Sequence, residues 1–149
     1  MANAFYTPTL QAWARGEIHW ESSGDTFVAY LIRTTASTAG DTYYTYSATH
    51  DTLADCLTSA RCTVAGQTIA SPVSSDGAMD GADVTWASVP AYASGFGGVI
   101  VVKQNVAEED SQLLFYFDTG TGFPVTSDGN NITCSWATAT PYIAKLGST

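Results

Sequence analysis

Two strand-like runs on either side of a turn-rich segment give the clearest hydrophobic pattern in the sequence. Residues 113–117 (LLFYF) are apolar throughout, and strict alternation places Leu113 and Phe115 on one face and Leu114 on the other. Both faces therefore need apolar cover, which predicts a core strand. Residues 132–136 (ITCSW) alternate apolar and polar positions, which predicts a strand with one dry and one wetter face.

Further runs predict more strands and one helix. Residues 26–33 (TFVAYLIR) and 98–103 (GVIVVK) are apolar runs rich in β-forming residues, which favours buried strands. Residues 84–89 (VTWASV) predict a shorter strand that ends at a proline. A Thr-Pro pair at residues 7–8 predicts the start of a short helix, and Gly16 predicts its end.

The remaining segments are less regular. Residues 41–47 (DTYYTYS) predict either an edge strand or a loop with exposed tyrosines, and residues 71–77 predict a loop. Seven to eight short strands behind one helix predict an all-β sandwich or jelly-roll-like barrel. The length suits a single β domain over residues 1–149, with an N-terminal arm and helix at about residues 1–16.

Charge and composition narrow the possible partners. The chain has 14 acidic residues against 5 Lys and Arg, a net charge of −9, so its field repels phosphate backbones and anionic membranes. No apolar stretch approaches the roughly 18–20 residues of a membrane span. The first residues lack the basic and apolar regions of a secretory signal. We therefore expect synthesis in the cytoplasm and neither nucleic acid nor membrane as a partner.

The sequence contains histidines and acidic residues, but not in the spacing or motifs that enzyme active sites use. His19 and His50 are the only histidines, and neither has a second ligand at helical spacing, as a zinc hydrolase requires. His50 could pair with Asp51 or Asp55, but no nucleophile accompanies it, and a structural role is the simpler interpretation. No nucleophile elbow, phosphate-binding loop or dinucleotide fingerprint occurs. The sequence predicts no enzyme and no cofactor.

Acidic residues and cysteines are the remaining candidate metal ligands. Residues 108–110 (EED) are adjacent acids in a loop, which favours a solvated tip over a glycosidase pair. Residues 76–83 could wrap a calcium ion, although their spacing is not that of an EF-hand and a turn explains them as well. Cys56, Cys62 and Cys134 match no metal or redox motif, and free buried thiols are expected rather than a Cys56–Cys62 disulfide.

Aromatic side chains are the candidate contact surface. Tyr44 and Tyr46 share a face, and together with Tyr43, and with Tyr92 and Phe96 in a Gly-rich loop, they could bind sugar or protein. A core or edge position for most of these rings is the competing interpretation. Residues 2–6 and 43–46 combine aromatic anchors with small neighbours, and predict these partner-contact residues: Phe5, Tyr6, Tyr43, Tyr44 and Tyr46.

Several short motifs in a fixed order resemble one family. They are an Ala-aromatic start at residues 4–6, GEIHW at 16–20, Leu-x-Asp-x5-Arg at 53–61, DVTW at 83–86, a strand and turn over 117–126, and the strand at 132–136. In this order they are similar to a group of small tailed-bacteriophage virion structural proteins, in which the last two elements form a closing hairpin. The chain departs from that family in longer loops at residues 34–41 and 104–112, and in cysteines where relatives carry Ile or Val.

The resemblance implies a non-enzymatic protein that decorates or cements the outer capsid surface of a virion, with the major capsid protein as its partner. An acidic surface suits that location better than the DNA-lined interior. A surface poor in charge, on a lattice with local three-fold positions, predicts a homo-oligomer, with a trimer favoured. The alternative is a tail- or fibre-associated module that binds host glycan through the tyrosines.

Overall fold

A central sheet of five antiparallel strands organises the fold. The computed structural model describes residues 3–36, 38–75, 78–119, 122–136 and 143–145. The described part contains one α-helix, α1 (Thr7–Ala14), and single turns of 3-10 helix at Leu53–Asp55, Thr58–Ala60 and Glu108–Asp110. Its strands are β1 (Ala4–Phe5), β2 (Phe27–Ile32), β3 (Gln67–Thr68), β4 (Val73–Ser75), β5 (Ala78–Asp80), β6 (Val84–Trp86), β7 (Tyr92–Phe96), β8 (Gly98–Lys103), β9 (Gln112–Phe117), β10 (Val125–Ser127), β11 (Ile132–Cys134) and β12 (Ala144–Lys145).

The central sheet has the strand order β1-β9-β8-β2-β3, and every neighbouring pair is antiparallel. β2 and β8 pair along their full length, from Phe27 opposite Lys103 to Ile32 opposite Gly98. In the described part of the chain, the edge strands β1 and β3 do not pair with each other, so no barrel closes. The prediction of a largely β fold with one short N-terminal helix is confirmed.

Three small sheets lie on one face of the central sheet. They pair β7 with β10, β6 with β11, and β5 with both β4 and β12. Trp86 of β6 and Phe96 of β7 are fully buried in the same apolar cluster as Leu31 of β2 and Val99 of β8. Because burial of a large apolar side chain contributes about 1.5–3 kcal/mol, this cluster holds the small sheets on the central one.

A segment without strands covers the opposite face, and we call residues 43–60 the cover segment. Its Tyr44 and Leu53 are buried in a second apolar cluster together with side chains of the central strands. The Leu53 N–H donates to the Ser111 carbonyl at 2.7 Å, and the Tyr44 N–H donates to the Arg33 carbonyl at 2.8 Å. These backbone hydrogen bonds fix the cover segment on the sheet.

The predicted N-terminal helix is confirmed. Pro8 lies in its first turn, where backbone N–H groups have no acceptor within the helix, so the N–H that proline lacks costs no hydrogen bond. Gly16 adopts a φ of 70°, a left-handed conformation that lets the chain turn away after the helix. The Thr9 hydroxyl donates to the Leu113 carbonyl, and Ala12 is fully buried. This face of α1 therefore packs on β9.

A β-bulge in β9 changes which side chains share a face. Val101 lies opposite Phe115, but Val102 lies opposite Leu113, so Leu114 is an extra residue in the strand. Leu114 then joins Phe115 in the first cluster, while Leu113 lies in the second. The core strand is as predicted, with both faces covered. Strict alternation, however, puts Leu113 and Phe115 on the same face, whereas the extra residue between them places their side chains on opposite faces.

The resemblance implied a closing hairpin between residues 117–126 and 132–136, and the described part of the chain does not form it. β9 lies inside the central sheet, whereas β11 pairs with β6, with Ile132 opposite Trp86. Antiparallel partners this far apart in sequence are chosen by packing in the core. No local turn signal specifies them.

Two predicted loops are partly strands. Residues 71–77 contain β4, whose Val73 lies opposite Asp80 of β5, and the glycine-rich residues at 92–96 form β7. β4 is exposed at each of its three positions. It has no alternation of apolar and polar residues, and for that reason the hydrophobic pattern does not predict it.

Candidate functional site

Two of the predicted contact residues, Tyr6 and Tyr44, form a hydrogen-bonded chain with His50. The hydroxyls of Tyr6 and Tyr44 lie 2.9 Å apart, and the Tyr44 hydroxyl lies 2.8 Å from Nδ1 of His50. Tyr6 is fully buried, Tyr44 is nearly so, and His50 is half-buried. Burial is the largest cause of the raised pKa of both tyrosines, which stay neutral at physiological pH. They act as hydrogen-bonding groups that hold the N-terminal arm to the cover segment.

Phe5 and Tyr46 are both half-buried, and they pack on different apolar clusters: Phe5 on the first and Tyr46 on the second, beside this chain. The Phe5 ring contacts Phe115 edge-on, with ring centroids 5.0 Å apart. The Tyr46 ring lies 5.2 Å from that of Tyr6 and 5.0 Å from that of Tyr116. The Tyr46 hydroxyl donates to the Phe5 carbonyl at 2.8 Å. Tyr44 and Tyr46 therefore occupy the core or edge positions of the competing interpretation, and Tyr6 is buried as well.

Tyr43 is the most exposed of the predicted contact residues. It exposes 49% of its surface, and Leu57 of the same cover segment exposes 60%. Residues 41–47 form a loop, the second of the two possibilities in the sequence. Ala2, which belongs to the predicted contact segment, lies outside the described residues. Partner contact stays a prediction, and Tyr43 has the exposure that it requires.

The structure does not bring the two aromatic groups of the sequence together. Tyr92 and Phe96 belong to the first apolar cluster, whereas Tyr44 and Tyr46 belong to the second, on the other face of the central sheet. Phe96 is fully buried. A joint sugar-stacking surface of these four rings is therefore not formed.

Residues 108–110 are exposed, as a solvated tip requires, and Glu108 also takes part in an ion pair. The Arg61 guanidinium donates from Nη1 to Oε1 at 2.9 Å and from Nη2 to Oε2 at 2.7 Å. The Arg61 side chain is 5% exposed, and its guanidinium carbon lies 5.5 Å from the centroid of the Tyr30 ring, within the roughly 6 Å of a cation–π contact. The hydrogen bonds from Arg61 lower the pKa of Glu108. The sequence does not reveal this pair because its partners are far apart along the chain.

The histidines and the aspartates near them serve local structure. Asp55 accepts hydrogen bonds from the backbone N–H groups of Asp51 and Thr52 at 2.8 and 3.1 Å, which closes a capping box. The His19 side chain is 60% exposed, with Nδ1 3.7 Å from Oδ2 of Asp25. No catalytic arrangement of these groups is evident in the described part of the chain.

The candidate cation loop is only partly described, because Asp76 and Gly77 lie outside the described residues. Oδ1 of Asp83 accepts the backbone N–H of Trp136 at 3.0 Å, so this carboxylate is already engaged. Among the residues that the structure describes, no group of three His, Cys, Asp or Glu side chains is placed to hold a metal ion.

The three cysteines are free thiols, and Cys56 and Cys62 are buried. Burial raises the pKa of Cys56 to about 12 and that of the half-buried Cys134 to about 11. A thiol with such a pKa is mostly protonated at neutral pH, and the thiolate is the reactive form. Their environment is therefore that of small buried hydrophobic side chains.

A cavity of about 410 Å³ lies between the central sheet and the small sheets, and the sequence does not predict it. Its apolar lining includes these six residues: Leu31, Trp86, Val99, Phe117, Ile132 and Trp136. Alternation in residues 84–86 and 132–136 is a signal that points Trp86, Ile132 and Trp136 to one side. It does not show that the two strands pair, and the cavity depends on that pairing.

No protein-family model, curated protein or solved structure matches the chain. None of the helices in the described part is long and apolar enough to cross a membrane. The site geometry and the sequence pattern are therefore the grounds for a functional proposal.

Proposed function

We propose that this protein is a non-enzymatic structural component of a tailed-phage virion that decorates the outer capsid surface and stabilises the shell. The ordered motifs of the sequence carry the proposal. In the fold these motifs occupy structural positions: β6 of the DVTW motif pairs with β11, and Arg61 of the Leu-x-Asp-x5-Arg motif forms the ion pair with Glu108. Motifs at such positions concern the fold and leave the contact surface to vary.

The surface chemistry is compatible with a protein partner. Tyr43 and Leu57 expose apolar side chains on a cover segment that backbone hydrogen bonds hold to the sheet. A pre-organised apolar surface loses little conformational entropy on binding, which favours contact with a folded partner such as the major capsid protein. The net charge of −9 suits an outer surface, and self-association as a trimer would match local three-fold positions of a capsid.

The finer architecture that we propose is an irregular sandwich. The small sheets form its second layer, because Trp86 and Ile132 share an apolar cluster with Leu31 and Val99 of the central sheet.

The glycan-binding alternative was suggested by a cluster of tyrosines, and the structure buries part of that cluster. It needs several exposed aromatic rings on one surface, whereas Tyr44 is 3% exposed and Phe96 is fully buried. A labelled antibody against the protein distinguishes the two by electron microscopy of virions. Label over the whole capsid is expected, and label confined to the tail tip would contradict the proposal.

A further inference from the structure

The cavity between the central sheet and the small sheets is bordered by the edge of a strand. All five consecutive residues 132–136 contribute to its wall, whereas elsewhere the contributing residues alternate, as at Phe117 and Thr119 and at Phe123 and Val125. Successive side chains of a strand point to opposite faces, so one face supplies every second residue. A wall made by every residue of a run therefore includes main-chain atoms, here of β11 and the two residues after it.

The hydrogen bond of Trp136 indicates which main-chain groups of this run point to the cavity. The Trp136 N–H donates to Oδ1 of Asp83, the residue before β6, at 3.0 Å. Main-chain groups of alternate residues in a strand point to the same side. Those of Cys134 therefore also point to β6, and those of Thr133 and Ser135 point away from it, to the open edge of β11.

The side chains of Thr133 and Thr85 support this orientation independently. The two residues lie opposite each other, and their hydroxyls are 2.8 Å apart. Side chains come closest in the antiparallel pairs that exchange no main-chain hydrogen bonds. In the described part of the chain β11 has β6 as its single neighbour, so the outward main-chain groups of Thr133 and Ser135 have no strand partner. Such an edge is a template for another strand.

Apolar surface lies beside this open edge. Phe117, Phe123 and Val125 line the cavity and are half-buried, so part of each side chain stays accessible. A compact apolar molecule could cover these side chains, but it would leave the main-chain groups of the edge without partners. An extended peptide meets both requirements, because its main chain pairs with the edge and every second side chain covers the apolar surface.

Charge limits the sequence of such a peptide. Among the residues that the structure describes, no Lys, Arg, Asp or Glu lines the cavity, which favours a segment with an uncharged centre. Two acidic residues adjoin the lining: Asp118 lies between Phe117 and Thr119 in the chain, and Asp83 accepts the N–H of Trp136. These carboxylates attract basic residues and repel acidic ones at the ends of the segment.

We propose that this site binds an extended segment of a partner protein by strand addition to β11. The segment has apolar residues at alternate positions, an uncharged centre and basic residues at its ends. Its main chain exchanges hydrogen bonds with Thr133 and Ser135, and its apolar side chains cover Phe117, Phe123 and Val125. This interaction surface is separate from the proposed capsid location and does not depend on it.

The test is an NMR titration of the full-length, nitrogen-15-labelled protein with the peptide acetyl-Lys-Val-Thr-Val-Thr-Lys-amide. In an extended peptide, either the valine or the threonine N–H groups face β11, depending on the direction of the chain. Two control peptides of equal charge therefore carry N-methyl groups, one on both valines and the other on both threonines. Naphthalene serves as a compact apolar probe without main-chain groups.

We expect the parent peptide to shift the amide signals of Thr133 and Ser135 saturably and to slow their hydrogen exchange. The amides of Ile132 and Cys134, which point to β6, are the internal control and should keep their exchange rates. One N-methylated peptide should bind like the parent, and the other about five- to a hundredfold more weakly, because it loses two hydrogen bonds.

Two substitutions test the same edge from the side of the protein. Ser135→Pro removes an outward N–H, whereas Ser135→Ala keeps it and removes the same hydroxyl. The proline variant should bind the parent peptide about two- to tenfold more weakly than the alanine variant, the worth of one hydrogen bond. If Ser135→Pro does not fold, the two N-methylated peptides on the wild-type protein decide.

Several results would overturn the proposal. Equal binding of the two N-methylated peptides would exclude strand addition, and so would equal affinities of folded Ser135→Pro and Ser135→Ala. Binding of naphthalene without binding of the peptide would make the cavity a small-molecule site instead. Signals of Thr133 and Ser135 that change with protein concentration in the absence of peptide would assign the edge to a second copy of the chain.

Discussion

The Tyr44 hydroxyl joins Tyr6 to His50, so its removal tests how the cover segment is held to the N-terminal arm. Tyr44→Phe keeps the ring, whose centroid lies 6.0 Å from that of Tyr116, and removes both hydrogen bonds. The fully buried Tyr6 hydroxyl then loses its Tyr44 partner. Leaving a buried hydroxyl unpaired costs about 1–3 kcal/mol. We expect that loss in the free energy of unfolding, with Tm lowered by about 2–4 °C per kcal/mol.

Tyr43→Phe is the matched control, because it removes the same hydroxyl from the neighbouring exposed residue. Its effect should stay within about 0.5 kcal/mol. Tyr6→Phe should cost less than Tyr44→Phe, since the Tyr44 hydroxyl keeps its contact with His50. In the double variant of Tyr6 and Tyr44 no hydroxyl of the pair is left unpaired, so its cost should fall below the sum of the single costs by at least about 0.5 kcal/mol.

Urea unfolding followed by far-ultraviolet circular dichroism measures all four variants. Equal stability of Tyr44→Phe and Tyr43→Phe would refute the buried chain of hydrogen bonds, and so would strict additivity of the Tyr6 and Tyr44 substitutions.

Three further predictions concern thiols, acid and assembly. A thiol reagent should leave Cys56 and Cys62 unmodified in the native protein and modify all three cysteines after denaturation without reductant; recovery of one thiol would contradict the free state. Because Arg61 lowers the folded-state pKa of Glu108, the stabilisation by this pair is complete above the unfolded pKa of about 4.3 and is lost as the pH falls through the folded value. The free energy of unfolding should therefore fall less steeply with decreasing pH in Glu108→Gln than in wild type. Equal slopes would show that this carboxylate does not contribute to the acid sensitivity. Light scattering should give a trimer, and a strictly monomeric mass would exclude it.

The long strands are predictable from the sequence because their signal is local. Residues 26–33 and 98–103 are apolar on both faces, and the structure buries both faces of β2 and β8. The bounds of the helix also come from a local signal, which is Pro8 at its start and Gly16 after its end. In these cases the identity of neighbouring residues decides the conformation.

Pairing and register are not predictable in this way, because they depend on partners far along the chain. Leu114 is inserted as a bulge opposite β8, and nothing in LLFYF marks it as the extra residue. β6 pairs with β11, which lies far along the chain, and both strands contribute residues to the wall of the cavity.

The orientation of the candidate contact residues is likewise not predictable from the sequence pattern. Aromatic residues near small ones predict a contact surface, but the pattern does not say whether a ring faces inward or outward. Tyr43 and Tyr44 are adjacent, yet one exposes 49% of its surface and the other 3%. The backbone hydrogen bond from Tyr44 to Arg33 fixes that difference, since it orients the loop on the sheet.

The stability of particles that lack this protein tests the proposed decoration most directly. A protein that binds only the intact shell stabilises it by about 2.7 kcal/mol per site at a hundredfold excess over its Kd. Particles from a gene deletion should lose heat and osmotic tolerance, and purified wild-type protein should restore it. Tyr43→Ala, which alters an exposed side chain, should restore it less well at equal concentration. Full tolerance without the protein, together with lost attachment to host cells, would contradict the account and favour the glycan-binding module.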